Sequence, residues 1–339
     1  MKESLSVRTL WRNEPDDLFV AATSFEERCL GVARSFAPDY SSKLTVIAHI
    51  RSNTSEDGES RKRRFTRELY ERLTWVDGWK RAVLQPVDVA DHRTLWDSVV
   101  REAEKREIEL AGGRISIDIS CFTRIHVALL LRRALDLRPR AEVRVFYTLP
   151  VRYITEEDSR ADLVYGQYRV LIVPFESVAG RGRIKGAGVR RVCVVSIGHE
   201  GDRILNIWRQ IDPERTYVVF ARGGSPRAVE ITRKRNQYFL EQLERRDPSF
   251  RLVEVAGLDV LEVIRGLGKI VKDEVVRGEF DLAVVPFGPK SICVALAEWG
   301  AADPGCRIDL AYSIPHGYNG RYSSGIRAIF ERTLERGDR

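Results

Sequence analysis

Two segments that follow apolar runs carry residue types suited to gripping an anion. Ser24-Phe-Glu-Glu-Arg28 follows LFVAAT, and Cys-Phe-Thr-Arg124 follows ISIDIS, a run that holds Asp118 and ends in Ser120. A guanidinium offers two aligned donors, and hydroxyls and the first N–H groups of a helix add more, so such a set suits a phosphate. The pattern recurs later. Gly-His199-Glu-Gly-Asp-Arg203 follows VCVVSI, Arg222-Gly-Gly-Ser continues TYVVFA, and Phe-Gly-Pro-Lys290 follows DLAVVP. The ligand-binding candidates are therefore Ser24, Arg28, Arg51, Ser120, Thr123, Arg124, Arg203, Arg222 and Lys290. Ser120 and Thr123 serve equally well as caps of a helix beginning near Arg124, and Asp118 as a satisfied strand-end carboxylate. Glu26 and Glu27 also fit the acidic bias of a first helical turn. Both accounts stay open at this level.

Candidates for catalysis are fewer. His199, Glu200 and Asp202, with Glu27 and Glu26 in the earlier segment, are of the types that act as general bases or metal ligands. No second cluster of His or carboxylates is placed beside them, although His316 follows a strand of the same half, and no metal site is expected. ARGGSPR (221–227) puts a glycine pair after a strand but lacks the phosphate-loop pattern of nucleoside triphosphate hydrolases. No nucleophile elbow occurs in a strand–turn–helix context. Cys121, between a strand end and a helix, reads as a lowered-pKa thiol or as a small core residue. No cofactor is specified.

The elements that position these residues occur twice. Residues 18–153 and 192–318 each read as five strands separated by four helices. The first strands are LFVAAT, LTVIAHI, AVLQPVDV, ISIDIS and VRVFYTL; the second are VCVVSI, TYVVFA, RLVEVAG, DLAVVPF and RIDLAYSI. Apolar residues at consecutive positions mark strands covered on both faces. In 92–110, Leu95, Trp96, Val99, Val100 and Ala103 form one helical stripe; Val229, Ile231, Phe239, Leu240 and Leu243 do so in part over 228–244. Alternating strands and helices imply α/β architecture: two tandem Rossmann-like domains, each a mainly parallel five-stranded sheet flanked by helices. The expected boundaries are 1–153 for the first domain, 154–191 for a linker and 192–339 for the second domain. The linker carries one extra strand, YRVLIVPF (168–175), and a Gly/Arg-rich loop (179–191). In open parallel sheets ligands bind beyond the carboxyl ends of the strands, where all the candidates above fall.

At 339 residues the chain suits two domains. Its 43% hydrophobic and 31% charged residues are those of a globular protein, and no apolar run approaches the roughly 20 residues of a membrane span. MKESLSVRTLWRNEPDD has no apolar signal region, so a cytoplasmic location without membrane partners is expected. Five cysteines without a C-x-x-C pair read as reduced thiols, with Cys193, Cys293 and Cys306 in or beside core elements. A net charge of +7 favours an anionic partner. Glu59-Ser-Arg-Lys-Arg-Arg64, near Tyr70, Trp75 and Trp79, and the Arg233-Lys234-Arg235 run are candidate nucleic-acid contacts or solvated helix faces.

IDISCFTR (117–124) fits a strand-D-x-[ST]-x-x-x-[KR]-helix pattern, and SIGHEGDR (196–203) forms a polar loop after a first strand. In these features the chain resembles the CRISPR-associated Rossmann fold (CARF) family and its relatives in prokaryotic antiviral defence. The resemblance implies a sensor of cyclic oligoadenylates, with ligand contacts at Ser120, Thr123, Arg124, Ser24 and Arg28. Members of the family usually join the sensor to an effector domain, for which the two repeats leave no room, so any effector is expected on a separate chain. The second half departs from the pattern, with Val285-Pro-Phe-Gly-Pro-Lys290 where Asp and Ser/Thr belong. The leading expectation is a ligand-sensing protein binding a nucleotide-type or other phosphorylated signal. The alternatives are a nucleotide- or nucleic-acid-processing enzyme (a metal-dependent nuclease or nucleotide hydrolase) and a protein-binding scaffold of a defence complex.

Overall fold

The computed structural model describes residues 15–36, 40–74, 82–89, 91, 93–137, 141–158, 161–175, 189–222, 226–257, 259–302 and 306–334. In chain order the elements begin β1 (Asp16–Ala22), a 3-10 turn (Glu27–Leu30), α1 (Gly31–Ser35), β2 (Ser42–Arg51), β3 (Asn53–Thr54) and α2 (Glu56–Thr74). Next come β4 (Ala82–Asp88), α3 (Thr94–Glu104), β5 (Arg114–Asp118), α4 (Arg124–Asp136), β6 (Glu142–Leu149), β7 (Arg152–Tyr153), α5 (Ile154–Glu157) and β8 (Val164–Pro174). The second series is β9 (Arg190–Ile197), α6 (Asp202–Ile211), β10 (Arg215–Arg222), α7 (Pro226–Arg246), β11 (Arg251–Ala256) and α8 (Val260–Val275). It ends with β12 (Phe280–Pro286), α9 (Lys290–Ala301), β13 (Arg307–Tyr318), β14 (Ser323–Ser324) and β15 (Ala328–Thr333).

The chain divides into two compact units. The first comprises Met1–Thr123, Arg133–Glu157 and Gly317–Glu335; the second comprises Arg124–Arg132, Asp158–His316 and Arg336–Arg339. These groupings cut across the 1–153, 154–191 and 192–339 boundaries read from the sequence. β15 pairs antiparallel with β6 of the first unit, with Phe330 opposite Tyr147, and so covers what would otherwise be an open sheet edge. The start of α4, which follows β5 in sequence, is grouped with the second unit. β8, expected in the linker, pairs with β13. The Gly/Arg-rich loop lies outside the described residues, apart from its last three positions.

In the first unit the sheet runs β15-β6-β5-β1-β2-β4, all parallel except β15. Val20 of β1 sits opposite Val46 on one side and Ile117 of β5 on the other. In the second unit the parallel strands run β11-β10-β9-β12-β13, and Val194 of β9 lies between Tyr217 and Val284. Both units thus have the order third, second, first, fourth, fifth, and the architecture is a tandem of Rossmann-like α/β folds. The order reverses between β1 and β5 in one unit and between β9 and β12 in the other, and in open α/β sheets such a reversal is the usual place for a ligand.

The apolar runs become strands because both faces are covered. Phe19, Val20 and Ala21 are fully buried, as are Cys193, Val195 and Leu282. On α3 the stripe at Leu95, Val99 and Ala103 faces the core; on α7 the inward residues are Ile231, Phe239 and Leu243. α4 and α9 are apolar on nearly every side and are correspondingly enclosed, with Ile125, Val127 and Leu131 in the first and Cys293, Ala295 and Leu296 in the second. Among the described residues no helix is long and apolar enough to cross a membrane.

Candidate functional site

In the first unit, the side chains expected to meet a ligand are tied to one another. Ser24 Oγ accepts a hydrogen bond from the Glu26 amide at 3.1 Å. Arg28 donates through Nε and Nη2 to the two carboxylate oxygens of Glu26, both at 2.9 Å, and Glu26 also accepts from the hydroxyl of Ser323. The Arg28 guanidinium lies 5.9 Å from the centroid of the Tyr153 ring and is buried. Burial alone would weaken its hold on the proton, but the Glu26 charge reverses the effect and keeps Arg28 ionised well above its ordinary range. At the end of β5, the amide of Ser120 donates to Asp118 Oδ1 at 2.9 Å, its hydroxyl donates to the same oxygen, and the amide of Thr148 donates to Ser120 Oγ at 2.8 Å. Ser120 is fully buried. Thr123 occupies the position before α4 in extended geometry, without a capping hydrogen bond from its side chain.

Other first-unit candidates lie on the surface. Arg51 is exposed at the end of β2. Glu27 pairs with Arg34 at 2.7 Å, and Arg34 forks onto Glu68 at 2.8 and 3.0 Å. The basic start of α2 is partly internal: Lys62 is buried and donates to the Ile50 carbonyl at 2.6 Å, and Arg61 donates to Gly320 O at 2.7 Å. Trp75 and Trp79 lie outside the described residues. Cys121 is half-buried against the cluster that contains Cys29, Leu30 and Phe65.

The second unit converges several charged groups at the end of β9. Glu200 receives Arg203 Nη1 on Oε2 and Arg124 Nη1 on Oε1, the latter at 3.4 Å. Arg124 Nε donates to the Gly288 carbonyl at 2.8 Å, beside the turn that leads from β12 to Lys290 at the start of α9. Arg203 donates to Ser313 Oγ at 3.3 Å, and its guanidinium lies 4.8 Å from the Phe287 ring, 5.4 Å from Tyr312 and 5.5 Å from Tyr168. Three aromatic faces and a carboxylate therefore hold this buried cation. Gly198 permits the close approach: a Cβ there would collide with the Phe287 carbonyl oxygen.

The remaining second-unit candidates are dispersed. Arg222 is exposed and reaches Glu254 at 3.6 Å and Glu262 at 3.8 Å, while Gly223, Gly224 and Ser225 lie outside the described residues. Asp202 opens α6, but its side chain also lies outside them. His316 is exposed, with its ring 6.4 Å from that of Tyr165. Burial holds the His199 imidazole below its ordinary pKa; a backbone hydrogen bond involving Ala228 and the Glu200 charge oppose this, and Arg235 and Arg124 reinforce it. His199 is accordingly neutral at pH 7. Among the described residues no group of three or more His, Cys, Asp or Glu side chains is assembled to hold a metal.

A pocket of about 340 Å³ opens beside Glu200 and Arg203. One wall is α7, which presents Ile231, Lys234, Arg235 and Tyr238 at helical spacing. The opposing lining comes from Asp162, Leu163 and Val164, with Tyr168 of β8 and Gly201 of the turn before α6. α7 is docked to that turn by Asn236 Nδ2, which donates to Gly198 O at 2.7 Å, and by Arg235, which donates to His199 O at 3.2 Å and also to Ala161 O. A Cβ on Gly201 would strike the Arg235 carbonyl. Of the lining residues, the sequence singles out Glu200 and Arg203 at a strand end, and Lys234 and Arg235 as candidate nucleic-acid contacts or a solvated helix face; it does not single out Tyr168 or Tyr238. The available signal is that Lys234 and Tyr238 share a face of a helix that follows a strand end.

Cations, aromatic rings and apolar side chains line the cleft, and its central carboxylate is paired to two guanidinium groups. No protein-family model matches the chain, and no curated protein matches its sequence.

Proposed function

We propose that this protein is a ligand sensor that binds a nucleotide-type or otherwise phosphorylated signal in the pocket of its second unit. The observation that carries the reading is the placing of Lys234 and Arg235 next to Tyr168 and Tyr238 in one cleft beside the end of β9. A base or other planar group stacks on tyrosine, and an anion is drawn to the basic face of α7. Glu200, Gly201 and Arg203 of the cleft follow the carboxyl end of β9, one of the two strands between which strand order reverses, and ligands of open α/β sheets bind beyond such strand ends. A role in prokaryotic antiviral defence, signalling to an effector on a separate protein in the cytoplasm, is part of the proposal and rests on the CARF-like pattern of IDISCFTR and SIGHEGDR.

Isothermal titration of the full chain with mononucleotides and cyclic oligonucleotides tests this reading. Binding that weakens in Lys234→Ala and Tyr168→Ala variants is expected. Absence of binding by every member of the panel would refute it.

A further inference from the structure

The pocket's size, charge and wall chemistry narrow the ligand. Building on the nucleotide-type reading, we infer that the occupant is a single nucleotide carrying one phosphate, its base laid against Tyr168 and its phosphate held by Lys234. A cyclic oligonucleotide does not suit this cleft.

Size is the first argument. About 340 Å³ lies at the low end of the roughly 300–1,000 Å³ spanned by small-molecule sites. A ring of three or four nucleotides brings three or four bases and as many phosphates, whereas this lining supplies two tyrosines and three apolar side chains around a small volume.

Charge is the second. The lining holds three cations (Arg203, Lys234 and Arg235) against two carboxylates (Asp162 and Glu200), so 3 − 2 leaves a net charge of +1. Arg203 is directed to Glu200 and Ser313, and Arg235 to the carbonyls of His199 and Ala161. Among the described residues Lys234 makes no ion pair, and its exposed ammonium is the cation best able to turn to a ligand. One mobile ammonium matches one phosphate monoester, which carries about −1.5 to −2 at pH 7. It does not neutralise the three or four charges of a cyclic oligonucleotide.

Preorganisation is the third. The Arg203 guanidinium, itself held by Glu200 and Ser313, lies 5.5 Å from the Tyr168 ring centroid. Arg203 is therefore a positioning residue that steadies the stacking platform, and a base meeting that platform has little side-chain freedom to quench. Leu163, Val164 and Ile231 supply the apolar contact a base edge needs, and the Asp162 carboxylate is an acceptor for sugar hydroxyls on the same lining.

Calorimetric titration of the full chain with AMP, GMP, CMP, UMP, adenosine, cyclic tri- and tetra-adenylate and inorganic phosphate tests the inference. At least one monophosphate should bind more tightly than either cyclic compound. Lys234→Ala should weaken that monophosphate about tenfold while leaving binding of the parent nucleoside unchanged. Tyr168→Ala should weaken nucleoside and monophosphate alike, by about tenfold, and Tyr168→Phe should restore both. Both positions are exposed, and matched thermal midpoints will verify that the variants fold. Binding of a cyclic adenylate without any monophosphate would overturn the single-nucleotide assignment and leave the sensor reading intact. Failure of every nucleotide would remove both. Inorganic phosphate binding as tightly as the monophosphate, unaffected by Tyr168→Ala, would overturn the stacking assignment.

Discussion

Arg203 donates to the carboxylate of Glu200, three residues earlier in the chain, and both side chains are almost wholly enclosed, at 1% and 3% exposure. The other oxygen of Glu200 takes Arg124. A carboxylate so engaged is a structural counter-ion, and removing its charge strands a buried guanidinium. Glu200→Gln should therefore destabilise the fold by about 3 kcal/mol, read as a lowered urea midpoint at unchanged slope. The folded fraction should bind anions at least as tightly as the parent, because a negative charge has left the pocket lining. Unchanged stability with abolished binding would instead make Glu200 a ligand contact.

Arg28 and Glu26 form a second buried pair, tied to Ser323. Arg28→Ala should lower stability by about 3–5 kcal/mol. Below the unfolding transition, nucleotide binding in the second unit should be unchanged. A well-folded Arg28→Ala protein that had lost its ligand would return the binding site to the first unit.

The interface between the ends of β9 and β12 has no room for a methyl group at Gly198, where a Cβ would meet the Phe287 carbonyl. Gly198→Ala should cost about 2 kcal/mol through overpacking. A thermal midpoint equal to that of the parent would show that the two strand ends do not meet as described.

Stability should fall in two steps on acidification. His199 and His49 both have folded-state pKa values below the ordinary 6.5, in each case through burial first, with Lys62 adding to the effect at His49. Their unfolded forms take up protons first, so their contribution is complete above about pH 6.5 and is lost as pH drops below it. Glu274 supplies the second step. Burial alone would raise its pKa, but hydrogen bonds from Tyr217 at 2.6 Å and Arg190 at 2.7 Å outweigh that and lower it from 4.5. Its contribution is complete above the ordinary carboxylate value and disappears as pH falls through the lowered one. Urea midpoints measured from pH 8 to pH 3 will check both steps. Replacing His199 by Gln should shallow only the upper one.

Thiol labelling should separate the cysteines by burial. Burial pushes the Cys293 thiol up to about 12 and Cys193 higher still, and Cys29 is also raised well above its ordinary value, by burial first and then by the neighbouring Cys121. Cys121 and Cys306 are half-buried. Iodoacetamide at pH 8 should modify Cys121 and Cys306 first, with the other three reacting only on unfolding; peptide mass spectrometry will rank them. Early labelling of Cys193 would contradict its enclosed position.

Much of the fold was legible because the relevant signals are local. A strand covered by helices on both faces must be apolar at successive positions, so LFVAAT and VCVVSI announce β1 and β9 directly. The stripe at Leu95, Val99 and Ala103 does the same for α3. AIFERT has no such signature of its partner. Its pairing with β6 follows from an edge that needed covering, nearly two hundred residues away along the chain.

The candidate site was legible only in its residue types. Arg, Lys, Ser and Thr at strand ends read as anion ligands, and chain chemistry alone cannot separate a guanidinium that awaits a phosphate from one already facing a carboxylate. For Arg28 the deciding partners are Glu26, two residues away, and Ser323, which closes on Glu26 from 297 residues further on. For Ser120 it is the Thr148 amide. The pocket is set by three segments distant in sequence, 162–168, 200–203 and 231–238; residue type marks Glu200 and Arg203 and the basic run 233–235, but neither Tyr168 nor Tyr238.

The sequence by itself determined the repeated α/β architecture and the chemistry present at the strand ends, because hydrophobic period and residue type are local properties. Only the tertiary structure decided which of those groups are satisfied internally and which line a cleft. That outcome depends on long-range hydrogen bonds and packing, whose partners are chosen by strand order and not by neighbourhood along the chain.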